Sequence, residues 1–190
     1  KDWVLDKMMD FVETAQSGDQ LFFHFSGHGG QLPDTNGDEP KGDMDDCIYA
    51  GDLTPIVDDD LRKVLVDSLP SGAKLVVILD CCHSGTGLDL PFLKGPQGTK
   101  IENKAPVANE VFCLSACQDN QTAADTSFGR IPQGALTHAF LDVMTKADAS
   151  KKPIKWITLL NSVMKETRTF RQVAQLSMNN RYGYMNNIDF

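Results

Sequence analysis

Two short segments carry residue types that can break covalent bonds. His28 stands in Ser26-Gly27-His28-Gly29-Gly30 and Cys82 in Asp80-Cys81-Cys82-His83-Ser84-Gly85, each among small residues that let another backbone approach. A cysteine with an imidazole in reach can exist as thiolate at neutral pH, because the imidazolium lowers the thiol pKa from its usual ~8.5. The same imidazolium can then protonate a leaving amine. That pairing is the outline of a cysteine hydrolase. An adjacent cysteine pair ending a strand is, taken alone, more often packing than catalysis; His28 and the flanking glycines tip the balance. A zinc hydrolase drawn from His24, His28, Cys82 and His83 is the competing chemistry. Against it, alternate strand residues point to opposite faces, and no Cys-x-x-Cys or His-Glu-x-x-His spacing exists.

A second kind of chemistry lies in the acids. Residues 34 to 60 hold ten carboxylates, from Asp34, Asp38 and Glu39 to Asp58, Asp59 and Asp60, against Lys41 alone. The rest of the chain is nearly neutral, since the whole carries a net charge of −8. Such a block suits a solvated loop, and it also suits a hard cation that takes oxygen ligands. Asp34-Thr35-Asn36-Gly37-Asp38 imitates the start of an EF-hand but has Glu39 where that loop needs Gly and Asp45 where it needs Glu. Asp58 and Asp59 equally suit a helix N-terminus, which favours acids whether or not an ion binds.

Alternating helices and strands must position these groups. Asp2 opens a helix whose apolar positions Trp3, Val4, Met8, Phe11, Val12 and Ala15 recur at helical spacing, closed by Gly18. Leu21 to Phe25 is a continuous apolar strand, as one buried on both faces would be; a weaker strand lies near Cys47 to Ala50. A second helix runs from Asp58 through Leu69 to Pro70-Ser71-Gly72. Lys74 to Leu79 is the clearest strand and leads directly into the cysteine segment. Residues 86 to 108 read as a loop carrying exposed Lys94, Lys100 and Lys104. Val111 to Leu114 is a strand, 134 to 147 and 156 to 170 are helical, and a last apolar segment sits near Val173 to Leu176. This alternation predicts an α/β fold with a mostly parallel central sheet and helices on both faces. Functional groups in such sheets gather at the carboxyl ends of strands, where His28 and Cys82 both fall. If their strands are neighbours, the two side chains face one another. His24 reads as a hydrogen-bonded core residue, and His138 as an ordinary helix residue.

Composition narrows the classes. At 190 residues with 41% apolar content, one domain can build its own core without disulfides or structural metal. The acidic balance argues against nucleic acid. Five cysteines, an odd number with two adjacent, fit a reducing cytoplasmic compartment better than a secreted disulfide framework. No apolar run approaches the ~18 residues of a membrane span. The start inside a helical pattern, without an initiator Met, suggests a fragment of a longer product.

Together the two segments resemble those of the metacaspases, within the caspase-like peptidases. Ser26-Gly27-His28-Gly29 resembles their histidine loop, and the 54 positions from His28 to Cys82 are close to the caspase spacing of about 50. Caspases carry Gln-Ala-Cys, whereas Asp80-Cys81-Cys82-His83-Ser84-Gly85 resembles the metacaspase pattern. Ser115-Ala116-Cys117-Gln118-Asp119, continued to Asp125 and followed by Gly134-Ala135-Leu136-Thr137, resembles the opening of the small-subunit segment. The short connection after Cys82 is similar to that of type I members.

The resemblance implies a caspase-like three-layer sandwich. It implies one domain over 1–190, with a large-subunit-like segment 1–93, a connecting loop 94–108 and a small-subunit-like segment 109–190, lacking the family's first strand and helix. Cys82 would be the nucleophile and His28 the acid and base, with the N–H groups of Cys82 and Gly29 as oxyanion hole. Asp80 would sit at the floor of the pocket for the residue before the cut, attracting Arg or Lys, with Ser26 as a second lining group. The family's calcium carboxylates map onto Asp45, Asp58, Asp59 and Asp89, so that the ion would order the catalytic loop rather than take part in the chemistry. The expected activity is a calcium-activated cysteine endopeptidase acting on proteins or peptides. Self-cleavage is expected after a lysine of 94–104, and the expected state is monomeric, with the absent N-terminal piece as one conceivable partner. The family's link is to programmed cell death. A noncatalytic calcium-binding or scaffold fragment is the alternative.

Overall fold

Successive side chains of one strand point into two different cores, and that alternation organises the molecule. The computed structural model describes residues 1–33, 44–81, 87–102, 104–105, 107–116, 125–128, 131–170 and 172–188. The elements in chain order are α1 (Asp2–Glu13), β1 (Gln20–Ser26), β2 (Gly29–Pro33), β3 (Met44–Tyr49), β4 (Pro55–Val57) and α2 (Asp58–Leu61), which widens into a π-helical stretch over Arg62–Asp67. Then come β5 (Lys74–Asp80), β6 (Phe92–Gly95), β7 (Gly98–Ile101), β8 (Glu110–Ser115), β9 (Asp125–Phe128), β10 (Ile131–Gly134), α3 (Ala135–Ser150), α4 (Trp156–Thr167) and β11 (Gln175–Met178). In β5, Leu75, Val77 and Leu79 face one core while Val76 and Ile78 face the other, as a central strand covered on both sides requires.

The main sheet runs β1-β5-β8-β11-β6-β7. β1, β5 and β8 are parallel, β11 is antiparallel to both β8 and β6, and β7 is antiparallel to β6, so four of the six strands run one way. One core joins this sheet to Met8 and Val12 of α1 and to Leu61 and Leu65. The other joins it to Leu136 and Phe140 of α3 and Leu159 and Val163 of α4, with Trp156 stacked on Phe112 at 4.5 Å between ring centroids. The arrangement is the α/β sandwich expected. β2-β3-β4 form a separate antiparallel sheet and β9-β10 a hairpin. No described helix is long and apolar enough to cross a membrane.

Several expectations are corrected. β1 lies at the end of the sheet and is not buried on both faces: Phe22 is 44% exposed. In α1, Met8 and Val12 enter the core while Trp3 and Phe11 stay exposed, because the helix turns a narrower apolar stripe to the sheet than its composition offers. Residues 86 to 108 are not merely a loop, and 94–108 is not merely a connection. β6 and β7 form a hairpin there, turning at Gly95-Pro96-Gln97-Gly98, with Gly98 at φ +117, a left-handed conformation that glycine adopts without strain. β2, β9 and β10 have no counterpart among the expected strands. The acidic stretch from Asp34 to Asp43, with its EF-hand imitation, lies outside the described residues.

Candidate active site

β1 and β5 are hydrogen-bonded parallel neighbours, paired from Gln20 with Lys74 to Ser26 with Asp80. Beyond the last pair, Gly27 N–H still donates to the Asp80 carbonyl at 3.3 Å. His28 therefore follows two residues after Ser26 at the same sheet end where Cys82 follows two residues after Asp80. Cys82 itself, with His83 to Thr86, lies outside the described residues. His28 is exposed, and its carbonyl accepts from Tyr49 N–H at 3.0 Å, which ties the histidine loop to β3. Gly29 opens β2 opposite Ile48. At Gly30 a Cβ would stand 3.0 Å from the Tyr49 ring, so glycine lets that ring lie against the loop. Ser26 is exposed.

The other described thiols are poor nucleophiles. Cys47, Cys81 and Cys113 are buried and outside any disulfide. Burial pushes the Cys47 thiol up and the Cys113 thiol to about 12. Cys81 is wholly enclosed among the core residues between the sheet and α1, where no substrate can reach its sulfur.

Asp80 is 3% exposed, and its carboxylate does structural work. Its Oδ2 accepts from the main-chain N–H of Thr137 at 2.7 Å and from the Thr137 hydroxyl at 2.5 Å. Thr137 is the third residue of α3, whose N-cap is Gly134, so Asp80 caps this helix from another element. His24 corrects the core assignment made for it: it is exposed, and Nε2 lies 3.0 Å from the Thr137 hydroxyl oxygen.

The four acids assigned to an ion are mostly buried. Asp45, Asp58 and Asp89 are 5%, 2% and 3% exposed; Asp59 is half-buried. Asp58 accepts from Asp46 N–H at 3.0 Å and Asp59 N–H at 3.1 Å. Burial first, and the charge of Asp89 second, push its carboxyl up to about 8. Asp89, at φ +49, pairs with Lys104 Nζ at 2.7 Å. Arg62 donates to the carbonyls of Asp89 and Ala105, the latter at 3.0 Å, and so ties the two segments together. Lys104, expected to be exposed, is therefore enclosed, with 11% of its side chain open; Lys100 is the open one at 71%. Among the described residues no three His, Cys, Asp or Glu side chains converge as a ready metal site. Oxygen donors of this kind suit a hard cation, and Asp58, desolvated by burial and facing the charge of Asp89, keeps its proton well above the usual range.

The geometry can be set beside known proteins. Residues 1–91 match the family described as Metacaspase, peptidase C14 domain. Metacaspase-1 of Candida glabrata is 33% identical over 93% of this chain and 57% of its own length. Over most of its length the chain is similar to the metacaspases, a family of cysteine-type peptidases, and its first 91 residues match their peptidase domain. Metacaspase-1 of Cryptococcus neoformans and of Schizosaccharomyces pombe are each 33% identical, across 92% of this chain and 49% and 52% of theirs. The chain thus spans about half the length of the curated relatives it matches. The crystal structure of protein GSU0716 from Geobacter sulfurreducens superposes with a TM-score of 0.62 at 26% identity, covering 87% of this chain and 68% of that one.

Two residues of this candidate site escaped the sequence reading. Thr137 had appeared only within the Gly134-Ala135-Leu136-Thr137 resemblance, and Lys104 only as a lysine open to cleavage. Their partners lie 57 and 15 positions away, and no local pattern announces such contacts.

Proposed function

We propose that the chain is the catalytic part of a calcium-activated cysteine endopeptidase that cuts after Arg or Lys. The observation that carries this reading is the parallel pairing of β1 and β5, with Ser26 opposite Asp80. Brought out at one end of neighbouring strands, the loops of His28 and Cys82 can share one groove. The Cys82 thiolate would attack the scissile carbonyl carbon, forming a C–S bond and an oxyanion that the N–H groups of Cys82 and Gly29 stabilise. As the C–N bond breaks, the His28 imidazolium gives its proton to the amine, leaving a thioester. His28, now neutral, takes a proton from water, whose oxygen attacks the thioester; the acid leaves and the thiolate returns.

Asp80, with Ser26 opposite it, supports the basic preference, since a buried carboxylate rewards a cationic side chain and repels an acidic one. Asp45, Asp58, Asp59 and Asp89 would hold the calcium ion, which supplies positive charge to the segment after Cys82 and no chemistry. Because Asp89 is paired with Lys104, binding an ion there entails release of that ammonium. Buried thiols outside any disulfide favour a reducing compartment, the cytoplasm, and a monomer is the working state.

The test is a fluorogenic peptide assay on the full protein, comparing Arg, Lys and Asp before the cut, with calcium and with chelator. Cleavage after Arg and Lys that needs calcium and is abolished by Cys82→Ala supports the proposal. Cleavage after Asp, or activity surviving Cys82→Ala, refutes it. Calcium binding without any cleavage would instead favour the scaffold role.

A further inference from the structure

The Asp80 carboxylate is not simply a buried charge at the end of β5. Gly134 leaves it room, since a Cβ at that position would collide with the carboxylate itself. Thr137 then supplies two donors to one oxygen, Oδ2, from its main-chain N–H at 2.7 Å and its hydroxyl at 2.5 Å. With its proton given to Asp80, the Thr137 oxygen can only accept from His24, whose Nε2 is 3.0 Å away, so that nitrogen carries the hydrogen. The result is an ordered chain, His24 Nε2–H to Thr137 O–H to Asp80 Oδ2, running from the outer face of β1 through the first turn of α3 to the end of β5.

Two donors at fixed positions on one oxygen hold both the place and the plane of a carboxylate. A single main-chain N–H, like that at any capped helix, leaves the group free to rotate about its Cβ–Cγ bond. We propose that Thr137 is a positioning residue for substrate specificity: its hydroxyl, backed by His24, holds the Asp80 carboxylate in the orientation that receives the cationic side chain before the cut. This rests on the reading of Asp80 as the recognition carboxylate. It adds that recognition depends on an element far along the chain, in the segment resembling the small subunit.

The test compares Thr137→Val, Thr137→Ser and Asp80→Asn with wild type in the full protein, on peptides with Arg, Lys or the uncharged Arg isostere citrulline before the cut. Thr137→Val keeps shape and main-chain cap but removes the hydroxyl. KM for Arg and Lys is expected to rise on the order of tenfold, with kcat little changed and the citrulline peptide unaffected; Thr137→Ser restores wild-type KM. If Thr137→Val does not fold, as judged by circular dichroism, Thr137→Ala carries the same comparison. Unchanged KM in the hydroxyl-less variant, or equal losses on charged and uncharged peptides, overturns the inference. If Asp80→Asn abolishes the basic preference while Thr137→Val leaves KM intact, only this inference falls. If wild type shows no basic preference, or Asp80→Asn leaves it intact, the parent reading falls too.

Discussion

Asp58 shows how much one buried carboxyl can reveal. Its ordinary value is 3.8, and burial together with the Asp89 charge lifts it to about 8 in the folded chain. The folded state therefore binds a proton that the unfolded chain has lost over that window. Stability of the calcium-free protein falls as pH rises through it, and levels off above about pH 8. Urea unfolding in chelator, between about pH 5 and about pH 9, should show the midpoint declining in wild type and a flatter profile in Asp58→Asn, which imitates the protonated acid. A wild-type midpoint that rises across this range would contradict the assignment. At this scale the sequence was informative about residue type: His28, Cys82 and the acids stood out by chemistry and neighbours. It was silent on the partner of Asp80, because side-chain contacts between residues far apart in sequence leave no periodic trace.

At the scale of elements, β5 was legible because its apolar run satisfies two cores at once, whereas the β6-β7 hairpin was hidden by the Gly and Pro that make its turn. That hairpin, and the segment leading from it to Lys104, bear on the proposed calcium switch. Lys104 pairs with Asp89, so a calcium ion on Asp89 would compete with a cation built into the chain. Lys104→Gln is expected to tighten calcium binding on the order of tenfold, read by titration calorimetry with calcium chloride. Unchanged or weaker binding would mean that Asp89 does not meet the ion. In wild type, mass spectrometry after calcium addition should find cleavage after Lys100, already open, ahead of cleavage after Lys104, which must first leave Asp89.

Across the whole molecule, the two cores share one sheet, and neither is complete without β5 and β8. Trp156, 2% exposed and stacked on Phe112, anchors the core on the α3 and α4 side. Trp156→Ala should cost about 3–5 kcal/mol and lower a single unfolding transition followed by far-UV circular dichroism. Two separated transitions would show the cores to be independent. The α/β class was readable from the alternation of elements, but the insertion of β11 between β8 and β6 was not. Strand order in a mixed sheet is decided by which edges remain open once the helices have packed.

The central claim, that the thiol after β5 and the imidazole after β1 work on one substrate, is met most directly by covalent trapping. The full protein, loaded with calcium, is treated with a chloromethyl ketone carrying Arg at the reactive end, and the modified residue is located by mass spectrometry. The expected result is one alkylated side chain, Cys82, formed rapidly in wild type and very slowly in His28→Ala. Alkylation of Cys47, Cys81, Cys113 or Cys117 instead, or a Cys82 reaction indifferent to the loss of His28, would contradict the account.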